Sequence, residues 1–151
     1  MQKILIVDDS ASIRQELTAI LAPIAECHVA ADGREAVEII KSSQGKGKNF
    51  DLVIMDVIMP EKDGLTAVKE IRAFEQEQGW SGDKTLTIVI ATTIKDPSRI
   101  LIAQYECGAD AYIAKPFTEE TVLQTLRNNG LRIDAGKDAG KDAGISAQKR
   151  S

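Results

Sequence analysis

Hydrophobic residues along the chain fall into short solid runs that alternate with longer stretches of helical period. Five runs have the length and composition of buried strands, and each is bounded by polar residues or glycine. They cover residues 3–7, 27–31, 51–55, 86–91 and 111–114. Because the runs are solid rather than alternating, they favour parallel strands that are covered on both faces.

The stretches between these runs repeat their apolar residues every three or four positions, as amphipathic helices do. The predicted helices span residues 11–22, 34–43, 65–78, 98–107 and 118–129. Ser10 or Ser12 is expected to cap the first helix and Thr118 the last. Five strands alternating with five helices predict an α/β fold, a (βα)5 doubly wound parallel sheet with right-handed crossovers.

Residues 1–130 are expected to form this domain, and residues 131–151 a flexible low-complexity tail with no output domain. Within the tail, residues 134–144 repeat Asp, Ala, Gly and Lys with a period of four. Each helical glycine costs about 1 kcal/mol, which outweighs the few tenths that a Lys–Asp pair contributes. The repeat therefore predicts no stable helix.

Composition narrows the possible functions. Hydrophobic residues make up 43% of the 151 residues and charged residues 28%, which is typical of a globular protein. The net charge of −4 gives no basic surface for nucleic acid. No apolar run approaches the length of a membrane span. Cys27 and Cys107 show no metal-ligand spacing, so reduced thiols in a cytoplasmic protein are expected.

Polar side chains stand where the predicted strands end. In chain order they are Asp8, Asp9, Asp56, Thr92, Thr93 and Lys115. Parallel strands end at one edge of the sheet, which is where such folds bind ligands. Three carboxylates placed together raise one another's pKa, and a divalent cation relieves the repulsion. Mg²⁺ takes few protein carboxylates and leaves positions for phosphate oxygens, so the pattern predicts a site for Mg²⁺ and a phosphoryl group.

Asp56 is the best placed nucleophile of this set, because it ends an apolar run, residues 52–55, that should form a buried strand. A carboxylate can accept a phosphoryl group as an acyl phosphate when a metal ion and a lysine neutralise the developing charge. The Lys115 ammonium and a threonine hydroxyl are suitable donors to the phosphoryl oxygens.

Three segments in this order, 4-ILIVDDS-10, 52-LVIMDVIMPEKDG-64 and 107-CGADAYIAKPF-117, resemble the receiver domains of bacterial two-component response regulators. The likeness covers residues 1–130 and implies a flavodoxin-like sheet of strand order 2-1-3-4-5. With no effector domain after it, the chain is similar to stand-alone, chemotaxis-type receivers.

The resemblance implies a role for each acidic residue. Asp56 would be the phosphoacceptor and would take its phosphoryl group from a histidine kinase. Asp9 and Asp56 would bind Mg²⁺ directly, Asp8 would assist through water, and the backbone carbonyl of Ile58 would complete the protein ligands.

The resemblance also implies a switch. Lys115 would contact the phosphoryl group, and its bond to Pro116 would be cis. Tyr112 would move inward on activation and change a face built from the fourth helix, fifth strand and fifth helix, which would bind a downstream target protein. The protein would be a monomer or a phosphorylation-dependent dimer.

The identity of the switch hydroxyl is open between two neighbours. The family's usual spacing, 22 positions before the lysine, selects Thr93. The family's preference for a small following residue selects Thr92 and requires one inserted residue, which fits the stretch 95-KDPS-98. We favour Thr92.

Two other functions fit parts of the pattern. A Mg²⁺-dependent phosphohydrolase also uses an aspartyl phosphate, but it carries an acid two residues after the nucleophile, where this chain has Ile58. A receiver that acts without phosphorylation would not need the complete acidic set. We therefore expect a phosphorylation-controlled binding protein rather than an enzyme.

Overall fold

The computed structural model describes residues 2–43, 50–57, 63–93 and 97–131, with the backbone alone at 83, 97, 99 and 102–104. Its strands are β1 Lys3–Val7, β2 Glu26–Ala30, β3 Leu52–Asp56, β4 Thr87–Thr92 and β5 Ala111–Ala114. Its helices are α1 Ala11–Leu21, α2 Gly33–Ser42, α3 Gly64–Glu77, α4 Pro97–Cys107 and α5 Glu119–Asn128, with a short 3₁₀ turn at Gly82–Lys84. Elements alternate as predicted, and each predicted boundary lies within one residue of the observed one.

The five strands form one parallel sheet of order β2-β1-β3-β4-β5, which confirms the predicted topology. Strand order reverses between β1 and β3, so the carboxyl ends of these strands lie beside the crevice where such folds bind ligands.

Two hydrophobic layers cover the two faces of the sheet. One contains Leu5, Val53 and Ile88 with side chains of α2 and α3, and the other contains Ile4, Ile54 and Val89 with side chains of α1 and α5. Successive residues of the central strands β1, β3 and β4 enter alternate layers because successive side chains point to opposite faces. Leu131, the first residue of the predicted tail, is 5% exposed and belongs to the second layer. Residues 132–151 lie outside the described residues.

The expectation that both faces of every strand are covered is wrong at the sheet edges. In β2, Glu26, His28 and Val29 are exposed, and in β5 Tyr112 and Ala114 are exposed. A solid apolar run does not reveal whether a strand is central or at an edge, because that depends on strand order. The helix caps follow the sequence: Ser10 accepts from the Ile13 amide, and Thr118 accepts from the Thr121 amide.

An ion-paired clamp lies at the end of the sheet opposite the predicted site. The Arg72 guanidinium donates to Glu75 Oε1 at 2.8 Å, to the Leu86 carbonyl at 2.8 Å and to Asp110 Oδ2 at 2.9 Å. Glu75 is buried and accepts from the Leu86 amide, so α3, the start of β4 and the α4–β5 turn are joined. The turn needs Gly108, whose φ is +89° and which packs against the Arg72 side chain.

Replacing Arg72 by alanine is expected to lower the free energy of unfolding by about 3 kcal/mol, because it leaves the buried Glu75 carboxylate without its cation. Urea unfolding of the variant and the wild type measures this. Arg72→Lys keeps the charge but loses the branched guanidinium that contacts Glu75 and Asp110 through different nitrogens, so its loss of stability should be smaller than that of Arg72→Ala. Equal stability of Arg72→Ala and wild type would contradict the assigned role of the clamp.

Candidate functional site

Four of the predicted site residues meet at the carboxyl edge of the sheet. Asp8 and Asp9 directly follow β1, Asp56 is the last residue of β3, and Lys115 follows β5. Asp8, Asp56 and Lys115 each lie two positions after a residue of the same hydrophobic layer, namely Ile6, Ile54 and Ile113. The period of two along a strand therefore directs all three side chains toward the same side.

Lys115 lies between two of the carboxylates. Its ammonium Nζ donates to Asp8 Oδ2 at 2.8 Å and to Asp56 Oδ1 at 3.1 Å. To make both contacts, the side chain reaches over the end of β4, which separates β5 from β3. Asp8 and Asp56 are 2% and 6% exposed, so these are largely desolvated ion pairs.

Backbone contacts hold the acidic side of the site in place. Asp8 Oδ1 accepts from the Ser10 amide at 3.0 Å, and the Asp8 carbonyl accepts from the Arg14 guanidinium at 2.7 Å. Gly64 begins α3 against the backbone of Asp56, where any Cβ would collide with the Asp56 carbonyl oxygen. Sequence reasoning missed Arg14 and Gly64. A glycine at the start of a predicted helix was the available signal for Gly64.

Three carboxylates make a donor set suited to a hard cation. One oxygen from each of Asp8, Asp9 and Asp56 lies within 4.8 Å of the others, and this is the one such cluster in the described ranges. Their three negative charges face one ammonium, Lys115, which leaves an excess of two negative charges. A divalent ion with oxygen ligands matches both that charge and that chemistry, so the residues fit Mg²⁺. Ile58, whose carbonyl was predicted as a further ligand, lies outside the described residues.

Burial and neighbouring charges both shift pKa values in the site. Burial raises the pKa of Asp56, and the neighbouring Asp8 and Asp9 raise it further, which outweighs the hydrogen bond from Lys115. Burial alone would lower the pKa of Lys115, but its hydrogen bonds to Asp8 and Asp56 raise it instead. The ammonium is therefore held charged, while the Asp56 carboxylate carries a cost of ionisation that a bound cation would offset.

Because ionisation of Asp56 is costly, Asp56→Asn should change the free energy of unfolding in a pH-dependent way when a chelator keeps the site free of metal. A carboxyl group whose pKa is raised in the folded state stabilises the protein at pH values below its pKa in the unfolded chain, about 3.9. This stabilisation is lost as the pH rises through the pKa of the folded state. At neutral pH the asparagine variant, which has no such loss, should be more stable than the wild type. The difference should shrink as pH falls below the ordinary aspartate pKa.

Urea unfolding midpoints of both proteins in EDTA, measured at neutral and acidic pH, test this effect. If Asp56→Asn is less stable than the wild type at neutral pH, pairing with Lys115 outweighs burial and the assigned direction is wrong.

The two candidate threonines lie in different environments. Thr92 is the last residue of β4 and 1% exposed, whereas Thr93 follows the strand and is exposed. In the parallel register Ile90 pairs with Tyr112 and Thr92 with Ala114, so Thr92 and Tyr112 project from the same face of the sheet. Tyr112 is 41% exposed, in an outward position. The Lys115–Pro116 peptide bond is cis, as predicted.

The sheet has this strand order, and Asp56, an acid pair and Lys115 meet at its carboxyl edge. Together these features define a phosphoacceptor receiver module. Comparison with known proteins agrees, since the family model of the response regulator receiver domain matches residues 4–127. The chain belongs to this family and is a phosphoacceptor of two-component signal transduction.

Individual relatives differ in how much of their length is matched. The chain is 35% identical over 126 residues to chemotaxis protein CheY of Halobacterium salinarum, covering 83% of this chain and 93% of the relative. It is 33% identical over 126 residues to response regulator MprA of Mycolicibacterium vanbaalenii, covering 83% of this chain and 48% of that protein. The chain thus spans about half the length of several curated relatives it matches.

Solved structures show the same similarity. Chemotaxis response regulator CheY4 of Vibrio cholerae superposes with a TM-score of 0.70 at 37% identity, covering 84% of this chain and 97% of the other. Response regulator TrrA of Thermotoga maritima, solved in complex with Mg(2+)-BeF, superposes with a TM-score of 0.67 at 29% identity. The match covers 84% of this chain and 97% of TrrA. In the part of the chain that the structure describes, no helix is both long and apolar enough to span a bilayer.

Proposed function

We propose that Asp56 accepts a phosphoryl group from the phosphohistidine of a histidine kinase and thereby switches a protein-binding face. The observation that carries this proposal is the placement of the Lys115 ammonium between Asp8 and Asp56, within a cluster of three carboxylates. A lysine and a cation-binding acid pair beside one nucleophilic carboxylate are the groups that aspartyl phosphorylation requires.

In the proposed transfer, a carboxylate oxygen of Asp56 attacks phosphorus. The P–N bond of the phosphohistidine breaks, and its electron pair returns to the imidazole of the kinase. Asp8, Asp9 and Asp56 would hold Mg²⁺, which when bound supplies positive charge to the phosphoryl oxygens. Lys115 supplies a second positive charge from the β5 side. The Mg(2+)-BeF complex of TrrA supports the assignment of Mg²⁺ to this site.

The direct test is incubation of the chain with Mg²⁺ and acetyl phosphate, a small phosphodonor. Intact mass should increase by one phosphoryl group, and peptide mapping should place it on Asp56. A group found on another residue would overturn the assignment.

Thr92 is the proposed switch hydroxyl, since it is buried at the end of β4 and shares a sheet face with Tyr112. Phosphorylation adds about −1.5 to −2 of charge and three strong acceptors at Asp56. In this proposal Thr92 turns toward the phosphoryl oxygens, and Tyr112 moves from its outward position into the space behind it. The resulting change on α4, β5 and α5 is what a downstream target protein reads.

We further propose that the protein is a switch rather than an enzyme acting on external phosphomonoesters. The position two residues after Asp56 is Ile58, which has no proton to give to a leaving group. A cytoplasmic location is also proposed, and it is supported by two cysteines, Cys27 and Cys107, that form no disulfide. Residues 1–130 are proposed as the receiver unit, together with Leu131, which is buried in the second hydrophobic layer.

A further inference from the structure

The outer edge of β2 lacks the features that usually block the edge of a sheet. β2, Glu26–Ala30, is the terminal strand, and among the described strands only β1 pairs with it. Natural sheet edges are usually protected by lysine, proline, a bulge or a very short strand. β2 contains neither lysine nor proline, keeps an unbroken register with β1 and exposes 46% of the β-branched Val29. This edge is therefore suited to pairing with another strand.

Backbone hydrogen bonds identify the residues of β2 that face the outer edge. The Glu26 amide donates to the Gln2 carbonyl, which precedes β1, at 2.8 Å. Because backbone groups of successive residues in a strand point to opposite sides, Glu26 and every second residue after it bond to β1. Cys27 and Val29 consequently direct their N–H and C=O groups away from β1. These two residues supply the donors and acceptors for a further strand.

The exposed side chains of β2 favour a second copy of the same strand as the partner. Glu26 and His28 lie on one face of the strand, with Glu26 Oε2 and His28 Nε2 2.8 Å apart. The His28 ring packs edge-to-face against Phe50 at a centroid distance of 5.4 Å, which holds the imidazole on this face. An acid and an imidazole two positions apart can each meet the other in an antiparallel copy, so the strand is complementary to itself.

We propose that two copies of this chain associate through β2, with the two strands antiparallel and Cys27 on the twofold axis. A twofold interface uses the same patch on both copies, so both members of each contact must lie on that patch, as Glu26 and His28 do. Cys27 of each copy exchanges backbone hydrogen bonds with Cys27 of the other. On either side of the axis, Glu26 of one copy lies opposite His28 of the other in a non-hydrogen-bonded pair, where opposing side chains are closest.

This association does not depend on phosphorylation, because no side chain of the interface belongs to the phosphoacceptor site. It thus differs from the phosphorylation-dependent dimer that the family resemblance implies, and it goes beyond the proposed function without resting on it. Asp56→Asn should therefore associate as strongly as the wild type. A dimer in a chain that acetyl phosphate does not label would leave the interface standing and the proposed function lost.

Sedimentation equilibrium of the full chain, at concentrations up to about 1 mM, measures the dissociation constant of the dimer. His28→Glu places acids opposite each other on both sides of the axis and should raise this constant about tenfold. Glu26→Lys removes both carboxylates from the interface and should also raise it. Combining the two substitutions restores opposite charges and should return the constant toward the wild-type value. Glu77→Lys, a charge reversal at the exposed end of α3, is the matched control and should leave it unchanged.

A short bifunctional thiol reagent tests the register of the two strands. It should join two copies through Cys27, because opposing Cα atoms of a hydrogen-bonded antiparallel pair lie only about 5.5 Å apart. Cys27→Ser should abolish the cross-link, since the remaining thiol, Cys107, is 3% exposed and packs in a hydrophobic layer.

A chain that stays monomeric up to the highest concentration would overturn the inference and leave the β2 edge to a strand of another protein. A dimer whose dissociation constant His28→Glu does not change, or a cross-link that survives Cys27→Ser, would overturn it as well. Urea unfolding of each variant shows that it is folded. The cross-link in the wild type tests the interface even if a β2 variant is unstable.

Discussion

Replacing Asp56 by asparagine is expected to abolish phosphoryl transfer to the chain. Asparagine keeps the size of the side chain and can still accept a hydrogen bond from Lys115, which lies 3.1 Å from Asp56 Oδ1. It lacks the anionic oxygen that forms the bond to phosphorus. Intact mass spectrometry after incubation with acetyl phosphate and Mg²⁺ should show the added phosphoryl group in the wild type and none in the variant.

Asp63→Asn is the matched control for this experiment. Asp63 caps α3 by accepting from the Thr66 amide at 2.8 Å, and asparagine caps helices about as well as aspartate. The same chemical change near the site should therefore leave labelling intact. Labelling of Asp56→Asn at the wild-type level would mean that another group accepts the phosphoryl group, and the assignment of Asp56 would be lost.

Removing Mg²⁺ is expected to reduce phosphoryl transfer about as strongly as Asp56→Asn does. Without the ion, Asp56 must react beside two other carboxylates with a single ammonium to offset their charge, and the phosphoryl group itself is anionic. Labelling by acetyl phosphate and binding of beryllofluoride should both be suppressed in EDTA and recover when Mg²⁺ is added in excess.

The free energy of unfolding gives an independent test of Mg²⁺ binding. Mg²⁺ at 100 times its dissociation constant should raise the free energy of unfolding by about 2.7 kcal/mol, because the ion binds the folded state alone. Asp9→Asn should remove most of this gain, since Asp9 is an exposed member of the cluster whose replacement disturbs no core packing. Labelling that is equal with and without EDTA would exclude the ion from the mechanism.

These two experiments concern the receiver unit, and they hold whether the chain acts alone or within a longer protein. Its relatives include CheY, of which the match covers 93%, and MprA, of which it covers 48%.

The sequence by itself determined the class of fold and most of the site. Solid apolar runs separated by amphipathic stretches predicted parallel strands with helical crossovers, and the sheet confirms both. That inference led to the site, because all strands of a parallel sheet end at one edge. Asp8, Asp9, Asp56 and Lys115 could be grouped without coordinates because each stands at a strand end.

Tertiary structure decided which contacts these residues make. That Lys115 reaches over β4 to both Asp8 and Asp56, 107 and 59 residues away, depends on strand order and side-chain direction. The difference in exposure between Thr92, which is buried, and Thr93, which is exposed, likewise depends on where β4 ends, a boundary that apolar patterning does not locate. Periodicity is a local property of the chain, whereas exposure of the edge strands and pairing of distant charges depend on the packing of the whole domain.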